Sequence, residues 1–150
     1  MSKVAALVAR ALIVTPIAVL IACGSMGPST GEQCQKLVNT TNAGMKKVED
    51  TKDGDPEATA KALDGLIADI DGVGVKDEGL KKLVDEFEAT LKTAASTHRD
   101  MAAMKKSLDA KSAPPPDFDK KMDELEKNFD KFVKDQDAAV DKINAYCRDK

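Results

Sequence analysis

The sequence is poor in aromatic residues, with no tryptophan, one tyrosine and four phenylalanines. A core built from this chain must therefore be aliphatic, with methionine filling gaps. Sheets favour aromatic and β-branched side chains, whereas 33% charged residues and abundant alanine are typical of long amphipathic helices. The composition of these 150 residues predicts a single all-α domain.

Histidine and catalytic motifs are equally scarce. One histidine, His98, cannot supply the two Glu-x-x-His pairs of a di-iron bundle or a typical zinc site. The chain contains no C-x-x-C-H or H-E-x-x-H motif and no phosphate-binding glycine loop. Acidic and basic residues alternate as on a solvated helix surface. We therefore expect no enzymatic activity, no catalytic residue, no cofactor and no metal site.

A basic stripe is also missing. The chain carries a formal net charge of −3, and the first 22 residues contain two basic residues, Lys3 and Arg10, and no acidic one. From residue 23 onward the chain has 21 basic and 26 acidic residues, a net charge of −5. Such a chain repels phosphate backbones and anionic lipid headgroups. We expect no nucleic-acid partner, and no small-molecule substrate is identified.

The amino terminus has the pattern of an export signal. Lys3 and Arg10 precede or flank an apolar run of twelve residues, 11–22, that ends at a small residue. A helix of that length reaches about 18 Å, well short of the roughly 30 Å of a bilayer core. The segment is therefore interpreted as a targeting signal, not as a membrane span.

The four residues Leu20-Ile21-Ala22-Cys23 resemble the lipobox of bacterial lipoproteins. The resemblance covers the first 23 residues and implies cleavage before Cys23, with acyl chains such as palmitate attached to that cysteine. In enterobacterial lipoproteins an aspartate after the lipidated cysteine retains the protein in the inner membrane, and here that position is Gly24. By this analogy we expect an outer-membrane lipoprotein facing the periplasm, with the cell surface or the plasma membrane as alternatives.

Three segments follow from this interpretation. Residues 1–22 are the predicted lipoprotein signal peptide, and residues 23–31 are the lipidated cysteine with a flexible tether rich in glycine, proline and serine. Residues 32–150 are the predicted helical bundle domain.

The cysteine count agrees with a lipid on Cys23. An odd cysteine is a liability in an oxidising compartment, and lipidation of Cys23 leaves Cys34 and Cys147 as an even pair. If the helices run up and down, these two residues lie at the same end of the bundle, both on apolar faces. We predict a disulfide between them, because two buried free thiols are less common in exported proteins.

Four segments show helical periodicity. They span about 31–52, 55–74 and 77–112, and the last runs from about 117 nearly to the carboxyl terminus. Thr30 and Gln33 form a capping-box pattern before the first segment. Because the connections are short, consecutive helices should be antiparallel neighbours. The prediction is an up-down-up-down four-helix bundle with a longer helix 3–helix 4 hairpin, closed by one disulfide.

The unequal helix lengths predict an exposed tip. At 1.5 Å per residue the last two helices reach about 50 Å, the first about 33 Å and the second about 25 Å. The two shorter helices should therefore run out near His98 and Phe129. Apolar residues beyond that level would be partly exposed and available to a partner, and they form the predicted interaction tip: Met101, Met104, Leu108, Phe118 and Met122. The alternative is that these residues pack against each other across the hairpin, as the apolar faces of paired helices do.

Two functions remain open on this evidence. The first is a non-enzymatic envelope lipoprotein that presents a helical surface to another envelope protein. The alternative is a small-ligand carrier or sensor with a pocket in the bundle core, oriented by the polar residues of the apolar faces, Thr41, His98 and Gln136. His98 itself is predicted to be half-buried and paired with a carboxylate or with water, in preference to a pH-sensitive or metal-linked role.

Overall fold

The computed structural model describes residues 28–51, 55–110, 114 and 116–148. These residues form four helices and, within those ranges, no strand. The helices are α1 (Pro28–Glu49), α2 (Pro56–Asp71), α3 (Glu78–Asp109) and α4 (Phe118–Arg148). The predicted all-α, four-helix architecture is confirmed.

Two aspartates fix the starts of the middle helices. The Asp55 carboxylate accepts hydrogen bonds from the backbone N–H groups of Glu57 at 3.0 Å and Ala58 at 3.1 Å. Pro56 occupies the first helical position, where its missing N–H costs nothing. The Asp77 carboxylate caps α3 in the same way, accepting from the N–H of Leu80 at 2.9 Å. Both starts agree with the predicted boundaries.

The start of α1 differs from the prediction. The helix begins at Pro28, so residues 28–31, assigned to the tether, are helical. Thr30 and Gln33 do not form the predicted capping box. Gln33 Oε1 accepts from the backbone N–H groups of Lys76 at 2.6 Å and Asp77 at 3.1 Å, and the Thr30 hydroxyl donates to Asp77. These side chains bind the α2–α3 connection, a tertiary role that local sequence does not predict.

Consecutive helices are antiparallel. Ion pairs between helix surfaces give the register, and each joins residues on neighbouring helices: Lys47–Asp69, Asp64–Arg99, Glu57–Lys106 and Glu86–Lys142. The start of α1, the α2–α3 connection and the end of α4 lie together and are called the disulfide end below. The end of α1, the start of α2, the end of α3 and the start of α4 lie at the opposite end, called the tip end.

The core follows the predicted apolar faces. Buried side chains from all four helices form one continuous cluster, which the predicted positions largely supply: Cys34, Val38, Met45, Val48, Leu63, Leu66, Ile70, Leu80, Val84, Phe87, Leu91, Ala94, Leu125, Phe129, Phe132, Val140 and Ile143. α1 and α2 approach each other closely at Gly44. A Cβ on Gly44 would overlap the Leu66 side chain, so the absence of a side chain at residue 44 lets the two helices approach.

α2 lies closer to the tip end than the comparison of helix lengths predicts. Its last residue, Asp71, interacts with Glu88, ten residues past the start of α3, which is about 15 Å along that helix. The connection 72–77 covers this distance without helix, and extended chain advances about 3.3 Å per residue, twice the helical rise. As a result Glu57, in the first turn of α2, pairs with Lys106 at 2.7 Å.

This register corrects the predicted tip. Met101 and Met122 are each only 5% exposed, so the prediction that they are partly exposed is wrong. The two shorter helices were expected to run out near His98, but α2 begins two helical turns beyond that level, so a third helix accompanies α3 and α4 past Met101. Met104, Leu108 and Phe118 are half-buried, as expected of the tip.

No helix among the described residues is both long enough and apolar enough to cross a membrane.

Candidate functional site

A disulfide joins α1 to α4 at the disulfide end. Cys34 and Cys147 are 113 residues apart in sequence, and their Cα atoms are 5.8 Å apart. Cys34 is buried and Cys147 is half-buried. The predicted pairing is confirmed, and it leaves Cys23 as the cysteine without a disulfide partner among the three. Cys23 lies outside the described residues, so its lipidation stays a prediction.

A hydrogen-bond cluster surrounds the disulfide end. The Tyr146 hydroxyl donates to the Asp77 carboxylate at 2.6 Å, while the same carboxylate caps α3. These bonds to the charged form hold the pKa of Asp77 below its usual value, with the Tyr146 bond the largest cause. The Lys36 ammonium donates to the carbonyl of Val73 at 3.2 Å. Together with the Gln33 bonds, this cluster fixes the α2–α3 connection against α1 and α4.

His98 lies inside the core. It is 4% exposed, and its ring packs edge-on against Phe129 with 5.3 Å between ring centroids. Its Nδ1 atom has no hydrogen-bond partner among the described residues. Burial lowers the pKa of His98 to about 4, so the ring is neutral at physiological pH. The residue is more deeply buried than predicted, and at Nδ1 the expected carboxylate is not found in the described chain.

The other polar residues of the apolar faces are also buried. Thr41 is fully buried, and its hydroxyl oxygen has no hydrogen-bond partner in the described chain. Gln136 is 7% exposed. The prediction that these residues face the core is confirmed. Neither residue contributes to the groove described below.

Glu88 is a buried acid that the sequence analysis assigned to the solvated surface. It is 5% exposed and sits beside the carboxylate of Asp71, at the end of α2. Burial raises the pKa of Glu88, and the ion pair with Lys92 at 3.3 Å only partly opposes this effect. Glu88 is buried because of where α2 lies along α3, and sequence alone does not predict that register.

A groove of about 370 Å³ lies between α3 and α4 near the tip end. Its apolar wall is formed by Met104, Phe118 and Leu125, of which the first two are half-buried. Two carboxylates, Asp100 and Glu124, line it as well. The groove therefore combines the remaining exposed part of the predicted tip with acidic residues that the sequence analysis did not single out.

The α3 side of the groove is a separate stripe from the one that meets α2. Asp100, Ala103 and Met104 are spaced by three and four residues and so share one face. Arg99 and Lys106, which pair with α2, lie on a neighbouring face. Packing of α2 therefore leaves the groove open.

One lysine lines the groove, and its charge is already paired. Lys121 lies 2.7 Å from the Asp117 carboxylate, which raises the pKa of Lys121. Glu124 lies 3.9 Å from Lys120, a fully solvated pair that contributes little. Asp100 makes no ion pair with any described residue. The groove thus presents an excess of negative charge beside an apolar wall.

Among the described residues, no three or more histidine, cysteine, aspartate or glutamate side chains are grouped so that they could hold a metal ion. Comparison of the chain with protein-family models, with curated proteins and with solved structures found no match.

Proposed function

We propose that this protein is a lipid-anchored lipoprotein of the bacterial cell envelope, most simply of the outer membrane facing the periplasm, and that it acts without catalysis as an interaction module. The observation that carries the proposal is the pairing of Cys34 with Cys147. Disulfides persist in oxidising compartments, which supports export. The pairing also leaves Cys23 outside the disulfide, and Cys23 is the residue at which the sequence resembles a lipobox.

The geometry is suited to presenting a surface away from a membrane. Cys23 lies eleven residues before Cys34, so a lipid on Cys23 would hold the disulfide end near the bilayer. The 31 residues of α4 extend about 46 Å from that end. The groove between α3 and α4 would then lie near the end of the molecule that is far from the membrane.

Burial of the one histidine favours a non-enzymatic role. General acid–base catalysis needs a side chain within hydrogen-bond reach of the substrate and a pKa near the operating pH. His98 is enclosed by the core, and its pKa is about 4. It therefore meets neither condition.

The lipid anchor is tested by replacing Cys23 with alanine. We expect this variant to lose signal cleavage at this site and to lose membrane association. Mass measurement of the amino-terminal peptide detects the first change, and membrane fractionation detects the second. Ser25→Ala is the matched control, because it changes a nearby residue outside the lipobox pattern and the disulfide, and should leave the acylated protein in the membrane. Unchanged cleavage and unchanged membrane association of the Cys23 variant would refute the anchor.

A small-ligand carrier is the second candidate. It is favoured by two buried polar atoms, Thr41 Oγ1 and His98 Nδ1, which lack partners in the described chain and which a ligand or water could satisfy. Native mass spectrometry of protein purified from cells distinguishes the two functions. A retained small molecule, lost in a Thr41→Val and His98→Phe double variant, would support the carrier.

A further inference from the structure

We propose that the groove between α3 and α4 binds a cationic amphipathic helix of another envelope protein. The binding mode is an apolar side chain inserted against Met104 and Phe118, with lysine or arginine residues facing Asp100 and Glu124. This inference deepens the proposed function and rests on it for the orientation of the groove, while the binding itself requires no lipid.

The shape of the groove fits a helical partner better than a partner with a flat surface. Its α3 side runs from Asp100 to Ser107, about 10 Å or two helical turns. A volume of about 370 Å³ is at the lower end of ligand pockets and suits a few inserted side chains. Helices bind such grooves through apolar anchors spaced by three and four residues. A third helix laid along α3 and α4 would bury the half-exposed Met104 and Phe118 side chains.

The charge of the groove selects the sign of the partner. The groove lining carries two carboxylates, Asp100 and Glu124, against the single ammonium of Lys121, which also pairs with Asp117 outside the lining, so negative charge is in excess within the groove. Opposite charges at the rim of an apolar contact guide association and exclude partners of the wrong sign. A basic segment is therefore favoured, whereas anionic lipid and nucleic acid are repelled.

The segment that precedes α1 does not supply this occupant. After cleavage before Cys23, residues 23–27 can extend about 18 Å from the start of α1. The groove lies at the tip end, since Asp100 is twenty residues beyond Leu80, or about 30 Å along α3. A second copy would bring its own Asp100 and Glu124 carboxylates and a net charge of −5 to the interface. Occupation of the groove by a second copy is one outcome of the test below.

The test uses the mature lipoprotein in phosphatidylcholine vesicles, whose zwitterionic surface does not attract cations. The probe is a fluorescent helical peptide of about five turns built from leucine, alanine and lysine, and a matched peptide carries glutamate in place of every lysine. Binding is followed by fluorescence anisotropy after subtraction of empty vesicles. We expect saturable binding of the lysine peptide and none of the glutamate peptide.

Two variants and two matched controls locate the site. The double variant Asp100→Asn and Glu124→Gln should weaken binding by about five- to tenfold at low salt, the combined effect of two exposed charge pairs. Asp123→Asn with Glu126→Gln removes the same charge from exposed positions of α4 outside the groove lining and should have little effect. Ala103→Trp fills the groove from an exposed position and should abolish binding, whereas Ala138→Trp, exposed elsewhere on α4, should not.

Several results would overturn the inference. Equal weakening by both charge variants would show general attraction to an acidic protein, and equal binding of the glutamate peptide would show that charge does not select the partner. Self-association that Ala103→Trp abolishes would assign the groove to a second copy. Absence of peptide binding by a protein that remains normally acylated would refute the groove while leaving the lipid anchor intact.

Discussion

His98 is kept uncharged by its surroundings, with a consequence for stability. Its pKa is about 4 in the folded protein, because burial penalises the charged ring, against about 6.5 for an exposed histidine. Between these values the unfolded chain binds a proton that the folded chain does not. The free energy of unfolding is therefore unaffected by protonation of His98 above pH 6.5 and decreases as the pH falls from 6.5 toward 4.

We expect His98 to account for a loss of about 3 kcal/mol between pH 7 and pH 4. Urea unfolding at both pH values measures the total change, and a His98→Phe variant lacks this component. The difference between the two proteins isolates the histidine from the carboxylates that titrate in the same range. The protein has one histidine, so its ring proton can also be followed directly by NMR. Titration near pH 6.5 in the folded state would contradict the buried position.

Two glutamates on the same helix should respond oppositely to neutralisation. Burial raises the pKa of Glu88, so keeping it ionised in the folded protein is costly. The Lys142 ammonium, 2.8 Å away, lowers the pKa of Glu86. At pH 7 we expect Glu88→Gln to raise the urea midpoint and Glu86→Gln to lower it slightly. The gain from Glu88→Gln should shrink in acid, where the glutamate is itself protonated. A lower midpoint for Glu88→Gln at pH 7 would show that its pairing with Lys92 outweighs burial.

The close approach of α1 and α2 depends on one glycine. A methyl group on Gly44 would overlap Leu66, which is almost fully buried and has little room to move. By contrast, nothing lies within 4 Å of the corresponding position on Gly65, an exposed residue of α2.

We therefore expect Gly44→Ala to destabilise the protein by about 1–3 kcal/mol through overpacking. Gly65→Ala should stabilise it by up to about 1 kcal/mol, since alanine is the better helix former. Urea unfolding of both variants gives the comparison. Similar gains for the two substitutions would mean that α1 and α2 separate without cost at this contact.

The elements themselves were largely predictable from the sequence, and their register was not. The Asp55 and Asp77 caps and the core-facing positions follow from local chemistry and from helical periodicity. The position of α2 depends on the non-helical connection 72–77, which the Gln33 and Lys36 side chains hold against α1. These contacts join residues about forty positions apart, and periodicity within a segment carries no information about them.

The candidate site shows the same division. Met104 and Phe118 were identified because they are apolar residues beyond the expected end of the shorter helices. Met101 was assigned with them in error, since the sequence does not show that α2 extends past its level. Asp100 and Glu124 were missed because a single acid on a charged helix resembles any solvated residue until the neighbouring helix is placed beside it.

At the scale of the whole molecule, the disulfide ties the first helix to the last. In the chain-entropy model, closing a loop of 113 residues stabilises the fold by about 4 to 5 kcal/mol, a large part of the stability of a typical domain. We expect the double variant Cys34→Ala and Cys147→Ala to melt more than about ten degrees below the parent protein. Peptide mapping without reductant should recover the two cysteines linked. Two free thiols in protein isolated from the cell envelope would contradict the pairing.

The position of this bridge also determines how the molecule would carry mechanical load. Tension between a lipid on Cys23 and a partner held in the groove would enter at the start of α1 and leave through α3 and α4. The bond between Cys34 and Cys147 passes that tension covalently from α1 to α4, at the end where it enters. Hydrogen bonds and packing between α1 and α2 are thereby relieved of the pull. Under tension the oxidised bundle should resist extension. Reduction of the disulfide should let α1 separate from the other helices at low force.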